Sequence, residues 1–592
     1  MKGSGFSSGF IPAVAQGLER ALGWVGTVEF MLAVLVVMLA FIRPRLASHA
    51  YERLESRFQA LAANPLGAIV AVGLLALALR AALLPWLGAP EPSIHDEQSL
   101  LLQAQTFAAG RLANPVHPFW EHFETFHVNQ LPAYASMYFP GRSAPLVAGL
   151  RMAGQPWLGI WLAMVLLCMA SVWMLQAWVR PGMALLGGVL VVARLGVFSY
   201  WVNAYWGGAF TALGAMLVVG SLPRLLRQPR WHLGLLLGLG TAILMVSRPY
   251  EGALLCIPVA ALLLVRLARP SLVAWKGGRG DFIRVALPVL LLAGAGGTLL
   301  LLHNQATTGK LFKTPYSLNR ETYADAPAFL ISPPVQSQQR GPPYFRTFYA
   351  EESASFERRG SPAEIARSIL AKIHYTWNFY VGPTFTAAFV VGLYAARHRR
   401  FVLGTLVFFG AGYFLETWNF PHYTAPIFPV LLIITLMGFE QLRTFAPGGR
   451  PVGLALTRAL PTAAIALLLL PAASVLFGRP ALESNTYSQP CCALGQENVK
   501  SRLTAQLLAS PGPDLVLVKD GPHNPIHHEL VYNAADIDHS AVVWARSLGP
   551  EKDKRLEAYF ANRCVWDFEW LAPGSPEVYR FTPRPALNPP LN

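Results

Sequence analysis

The sequence predicts an all-α polytopic membrane bundle of about twelve transmembrane helices with a small C-terminal α/β domain on its outer face, and three observations carry that prediction. Hydrophobic residues make up 54% of the 592-residue chain and charged residues only 13%, against roughly 25% charged in a soluble domain. Apolar runs of ~20 residues, enough to cross a bilayer as helices, recur along the chain. Beyond residue 479 these runs stop, and short strand-like and helix-like segments alternate instead.

In chain order the spans read as 27–42, 66–87, 157–178, 183–198, 207–222, 233–246, 253–267, 286–302, 379–396, 401–415, 425–439 and 459–477. The residues before the first span lack the basic start, apolar core and small-residue cleavage site of a secretory signal. Orientation follows from the loops. Arg43, Arg45, Arg53 and Arg57, then Arg180, Arg224, Arg227 and Arg230, fall in alternate loops, as do Arg266, Lys276, Arg284, Arg397, Arg399, Arg400, Arg443 and Arg458. The positive-inside rule makes those loops cytoplasmic. The formal charge of +15 is therefore a topology signal, and no nucleic-acid partner is expected.

The remaining loops, 88–156, 199–206, 247–252, 303–377 and 416–424, then face outward, as do both termini. Tyr200, Trp201, Tyr205 and Trp206 read as an interfacial aromatic belt against the membrane lipids. Loops 88–156 and 303–377 are much longer than ordinary connections and rich in aromatic residues, which points to function rather than disorder.

Three portions result: 1–65, an N-terminal span and basic loop; 66–478, the main membrane region; and 479–592, an extracytoplasmic α/β domain. In the last, 514–518, 541–545, 564–570 and 578–581 read as strands and 551–562 as a helix. Cys168 and Cys256 lie in spans as packing residues, whereas Cys491 or Cys492 could pair with Cys564.

Chemistry concentrates on the polar island Ser93-Ile94-His95-Asp96-Glu97-Gln98, directly after an outward-going span. Ser93 and Asp96 fit a capping box. The helix that follows, 98–112, has one apolar face and is expected to lie along the outer membrane surface. A carboxylate held there could take a proton from an attacking hydroxyl or bind a divalent cation. The run Trp120-Glu121-His122-Phe123-Glu124-Thr125-Phe126-His127 lacks zinc-ligand spacing and reads as an amphipathic segment on the membrane or over the site. His523, His527 and His528 read as surface residues.

Several stretches occur in a characteristic order. They are Asp96-Glu97 with Gln98-Ser99-Leu100-Leu101 behind it, Tyr138-Phe139-Pro140-Gly141, Gly154-Gln155-Pro156-Trp157, Ser247-Arg248-Pro249-Tyr250-Glu251-Gly252, and Pro421-His422-Tyr423 before a Pro-containing span. This series, over roughly residues 66–440, resembles the GT-C membrane glycosyltransferases and within them glycosyltransferase family 39, which holds the protein O-mannosyltransferases and the lipid A aminoarabinose transferase. The span before the family's usual first one is a departure, and makes the first helix peripheral to the core.

The resemblance implies inverting transfer of a hexosyl or pentosyl group at the extracytoplasmic face of a bacterial inner membrane. The donor would be a polyprenyl-phosphate sugar, the acceptor a lipid, glycan or protein, and no resident cofactor is expected beyond the optional divalent cation. It makes Asp96 the general base, with Glu97 assisting.

A phosphate leaving group needs cations. Arg248 is the first candidate, followed by Lys310 and Lys313 and by His422 as a donor. His95, Tyr250, Glu251, Tyr316 and Tyr423 are the expected substrate contacts. The competing reading is a non-enzymatic lipid or solute transporter, or a membrane scaffold with an outer binding domain. Convergence of Asp96, Arg248 and the start of the second long loop separates the two readings.

Overall fold

The computed structural model of the protein describes residues 10–267, 279–357, 359–477, 498–521, 524–525, 528–572 and 578–584. Each predicted span falls on a helix. Among the described residues eight helices are long and apolar enough to cross a membrane, from Val25–Ile42 to Val452–Ala473. Pro181–Gly196, Trp231–Ser247 and Arg400–Tyr413 are apolar but shorter, and Pro362–Tyr380 meets Gly382–His398 at a 104° bend.

The helices differ in how much protein surrounds them. In Ala425–Leu442, 83% of the residues are buried, against 11% of an 18-residue apolar stretch within Gly280–Thr308. The first is the centre of the bundle and the second its lipid-facing rim. Glycine makes the central crossings close. A Cβ on Gly438 would lie 1.7 Å from the Ala388 carbonyl oxygen, and one on Gly392 1.9 Å from that of Ile434. Helices without a hydrophobic driving force between them gain contact in this way.

The intramembrane arginines have partners. Arg80 donates to Asn203 Oδ1 (3.1 Å) and the Gly88 carbonyl (2.7 Å), beneath the Trp157 ring. Arg194 sits on a π-turn, Val192–Gly196, and donates to Glu29 Oε1 (3.0 Å) and to the carbonyls of Phe379 (2.9 Å) and Asn378 (2.5 Å). Glu29 belongs to the first helix and also accepts from the Thr384 N–H. The expectation that this helix is peripheral is corrected: a buried ion pair ties it to the bundle.

The two long loops fold as one layer with the C-terminal region. Two short strands, β1 (Val128–Asn129) and β2 (Ala135–Ser136), pair antiparallel within the first long loop. The C-terminal sheet comprises β3 (Asp514–Lys519), β4 (Val542–Arg546), β5 (Cys564–Trp570) and β6 (Tyr579–Pro583) in the order β4-β3-β5-β6. Strand β3 is parallel to β4 and β5, and β6 is antiparallel to β5.

A parallel central strand covered on both faces reads as a continuous apolar run, and β3 does. Leu515 and Leu517 face Leu102, Phe123, Val128 and Tyr134 of the first long loop. Val516 and Val518 face the Val499–Leu508 helix. Cys564 is exposed; Cys491, Cys492, His523 and His527 lie outside the described residues.

Three surface expectations are corrected by this layer. The helix after the island runs His95–Ala108 and is enclosed by protein, with Leu100 and Ala104 in the bundle core and Leu102 in the sheet core. The Trp120–Phe123 turn docks on the C-terminal sheet, where the buried His122 bonds through Nδ1 to the Arg546 carbonyl at 2.7 Å. Tyr200, Trp201, Tyr205 and Trp206 are at most 4% exposed and form part of the core beneath the island, not a lipid belt.

Candidate active site

The island splits its two carboxylates into different jobs. The helix begins at His95, so Glu97 occupies its third position and turns back over the helix start. Glu97 Oε2 accepts from the N–H groups of Ser93 (2.8 Å) and Ile94 (3.3 Å) and from the Ser93 hydroxyl (3.1 Å). Its Oε1 accepts from the Tyr205 N–H at 2.7 Å. Burial pushes this carboxyl upward, against the pull of those hydrogen bonds. The capping residue is therefore Glu97 and not Asp96, one residue away from the box predicted with Ser93.

Freed from capping, Asp96 faces the loop. The Tyr138 hydroxyl donates to Asp96 Oδ1. Oδ2 lies 3.7 Å from His127 Nδ1, and the Tyr138 oxygen is 3.2 Å from the same nitrogen. Burial first, then the neighbouring Asp96 charge, holds the Tyr138 phenol well above its ordinary range, so it remains a donor.

Two guanidiniums stand beyond Tyr138. Arg142 lies over the Tyr138 ring, 4.3 Å from its centroid, and reaches the Trp206 carbonyl at 3.4 Å. Arg248 is 8% exposed, donates through Nη1 to Glu251 Oε1 at 2.7 Å, and sits 4.0 Å over the Tyr423 ring. Its Nη2 is buried with no hydrogen-bond partner among the described residues.

A glycine brings these arginines together. A Cβ on Gly141 would fall 2.4 Å from Val246 Cγ2 and 2.8 Å from the Val246 carbonyl carbon, so only glycine lets residue 142 approach the helix end that carries Arg248. Burial and then the Arg248 charge lower the Arg142 pKa. Burial pulls Arg248 down, but Glu251, Tyr423 and Glu416 together leave it raised.

Tyr423 collects the site. Its phenol, raised first by burial, also feels Arg248, Tyr316, Arg142 and Asp96. Of these groups Arg248 stacks on the ring itself, while Asp96 and Arg142 meet each other through Tyr138. Behind the Tyr423 ring His422 Nδ1 is 3.1 Å from the Tyr200 hydroxyl. Burial and the two arginine charges push His422 well below its ordinary value, leaving it neutral.

The other expected residues divide. His95 Nδ1 meets the Tyr532 hydroxyl at 3.1 Å, which joins the island to the C-terminal domain. Tyr250 donates to the Gly412 carbonyl at 2.9 Å and packs on Phe329. Lys310 and Lys313 are not brought into the cluster. The Thr308 hydroxyl ties off their turn through the carbonyls of both (3.0 Å each), Lys310 is exposed, and Lys313 pairs with the surface residue Glu321 at 2.5 Å.

Arg142, Tyr138 and His127 escaped attention as candidate side chains. The signal for Arg142 was its sign: an arginine in an outward loop runs against the positive-inside rule. Among the described residues no three His, Cys, Asp or Glu side chains converge as metal ligands, so no set is assigned to a cation.

No family model matches the sequence, and neither does any curated protein. Among solved structures the chain is similar to ArnT from Cupriavidus metallidurans in the apo state (12% identity, TM-score 0.47, 85% of this chain and 93% of that one). It is likewise similar to ArnT bound to undecaprenyl phosphate (12%, TM-score 0.44, 85% and 93%). A third is the Archaeoglobus fulgidus oligosaccharyltransferase complex with Zn and sulfate (11%, TM-score 0.43, 76% of this chain), of which this chain spans 60% of the length.

Proposed function

We propose that the chain is an integral-membrane glycosyltransferase that moves a sugar from a polyprenyl-phosphate carrier to a hydroxyl acceptor at the extracytoplasmic face. The observation that carries this reading is a linked set: Tyr138 joins the carboxylate of Asp96 to the guanidinium of Arg142, and Gly141 packs on Val246, two residues before Arg248. The acceptor oxygen bonds to the anomeric carbon as the bond from that carbon to the phosphate oxygen breaks. The acceptor proton goes to Asp96, and the electron pair leaves on the phosphate.

Charge develops at the departing phosphate, and preorganised donors there stabilise the transition state more than the ground state. Arg248 Nη2 and the uncompensated Arg142 supply them, while Tyr138 keeps Asp96 oriented. Glu97 is a positioning residue in this reading: it fixes the helix start that aims Asp96. The carrier tail would lie in the bilayer beside the bundle.

Asp96→Asn in a well-expressed membrane preparation is expected to lower transfer by a factor on the order of 10³. Mass analysis of a strain lacking the protein should find the lipid-linked donor accumulated and one glycan missing. Full activity of Asp96→Asn would remove the proposal.

A further inference from the structure

The segment before β1 places one more titratable group in the site. His127 has φ +60°, in the left-handed region that a residue with a Cβ rarely adopts. Such conformations persist only where their surroundings enforce them, and they cluster at functional sites. Here the enforcement comes from the two elements that hold the base and its phenol. The His127 carbonyl accepts from Ser99 Oγ (2.7 Å), one turn along the helix from Asp96, and from the Met137 N–H (3.0 Å), next to Tyr138. Ser99 Oγ and Ser136 Oγ are themselves 2.7 Å apart, and Ser136 Oγ accepts from the Tyr138 N–H at 3.2 Å. The strained backbone is thus clamped where the imidazole meets both Asp96 and Tyr138.

Resting on the assignment of Asp96 as the base, we propose that His127 is the proton acceptor that resets it: Tyr138 pins Asp96 Oδ1, the acceptor's proton lands on Oδ2, and it passes from there to His127 Nδ1. His127 accepts as the Nε2–H tautomer, whose bare Nδ1 lies 3.7 Å from Oδ2; Tyr138, whose one proton goes to Oδ1, does not compete for it. The step breaks the acceptor O–H and the sugar–phosphate bond and forms the new glycosidic bond. It ends with an imidazolium beside a regenerated carboxylate.

The groups facing His127 come from every packed element. His95 and Asp96 lie on the helix, Tyr138 and Arg142 on the segment after β2, and Arg320 on the Pro315–Tyr323 helix; Phe348 adds an apolar edge. Burial, with Arg320 and Arg142, outweighs the Asp96 charge and holds the imidazole below its ordinary value. It is therefore neutral and able to accept at neutral pH.

The test uses the full chain in lipid nanodiscs and in membranes carrying the endogenous donor and acceptor. His127→Asn is the informative variant, because asparagine tolerates the left-handed backbone and lacks the imidazole. It should lower kcat by about 10- to 100-fold with KM within about twofold, and the acid limb of the pH–rate profile should lose the histidine's contribution. Histidine-selective ¹⁵N spectra need no substrate. In them the His127 midpoint should fall by about half a pH unit or more in Asp96→Asn, which removes the carboxylate's pull. Wild-type kcat and an unchanged acid limb in His127→Asn, with Asp96→Asn inactive, would overturn the relay and leave the base standing. An active Asp96→Asn would overturn both. An unmoved His127 midpoint would deny the contact itself.

Discussion

Arg194 and Arg248 each meet a glutamate in the interior, and they are opposites. Arg194 spends its donors on protein: one on Glu29 and two on backbone carbonyls. Arg248 spends Nη1 on Glu251 and keeps Nη2 buried, over the Tyr423 ring, with no hydrogen-bond partner among the described residues. A saturated guanidinium is a fastener. One held in place with a donor left over is prepared for something that arrives, and an anion fits its charge and geometry. The same contrast separates neighbours in the chain: Glu97 is consumed by four donors, while Asp96 takes one and faces outward.

The largest expected effect breaks the fastener. Arg194→Gln leaves Glu29 buried and unpaired, and removing one partner of a buried pair costs about 3–5 kcal/mol. Thermal unfolding in nanodiscs should show that loss, while activity per folded molecule stays near wild type. The mirror-image result, a stable protein with no activity, would erase the distinction.

Next comes Arg248→Gln, expected to lower kcat by a factor of about 10²–10³, in the range of a lost oxyanion donor. Arg248 and Glu251 are also a buried pair, so stability falls as well, and the rate loss is read per folded molecule. Arg142→Gln should follow at roughly tenfold, since its guanidinium sits half-buried and reaches only one carbonyl. If both act on one phosphate, the double variant should fall short of the product of the single losses.

Much of this arrangement was readable before any coordinates. Apolar runs give the spans because a bilayer demands them. The doubly covered β3 shows as an unbroken Val/Leu run. What stayed hidden depends on packing partners. Tyr200 and Trp201 have the composition of a lipid belt, yet a protein interior suits the same amphipathic rings. The apolar face of the His95–Ala108 helix fits a membrane surface as well as it fits β3 and the bundle. The site depended on two short-range choices: which of two adjacent carboxylates caps the helix, and whether Gly141 lets Arg142 touch the end of a distant helix. Neither leaves a periodic trace.

The smallest effect is expected at Lys310 and Lys313, and it sharpens the comparison from the other side. Both have the charge for a phosphate and the outward address that first suggested them. Their turn is closed by the Thr308 hydroxyl, Lys310 is exposed, and Lys313 is already matched by Glu321 on the surface. A surface ion pair of this kind contributes roughly 0–1 kcal/mol. The double change Lys310→Ala with Lys313→Ala should therefore keep both kcat and KM within about twofold of wild type. A tenfold rise in KM for the lipid donor would mean that its phosphate approaches past this turn before reaching Arg248. The entry route would then run along the second long loop, and the arginines would share their anion with the surface.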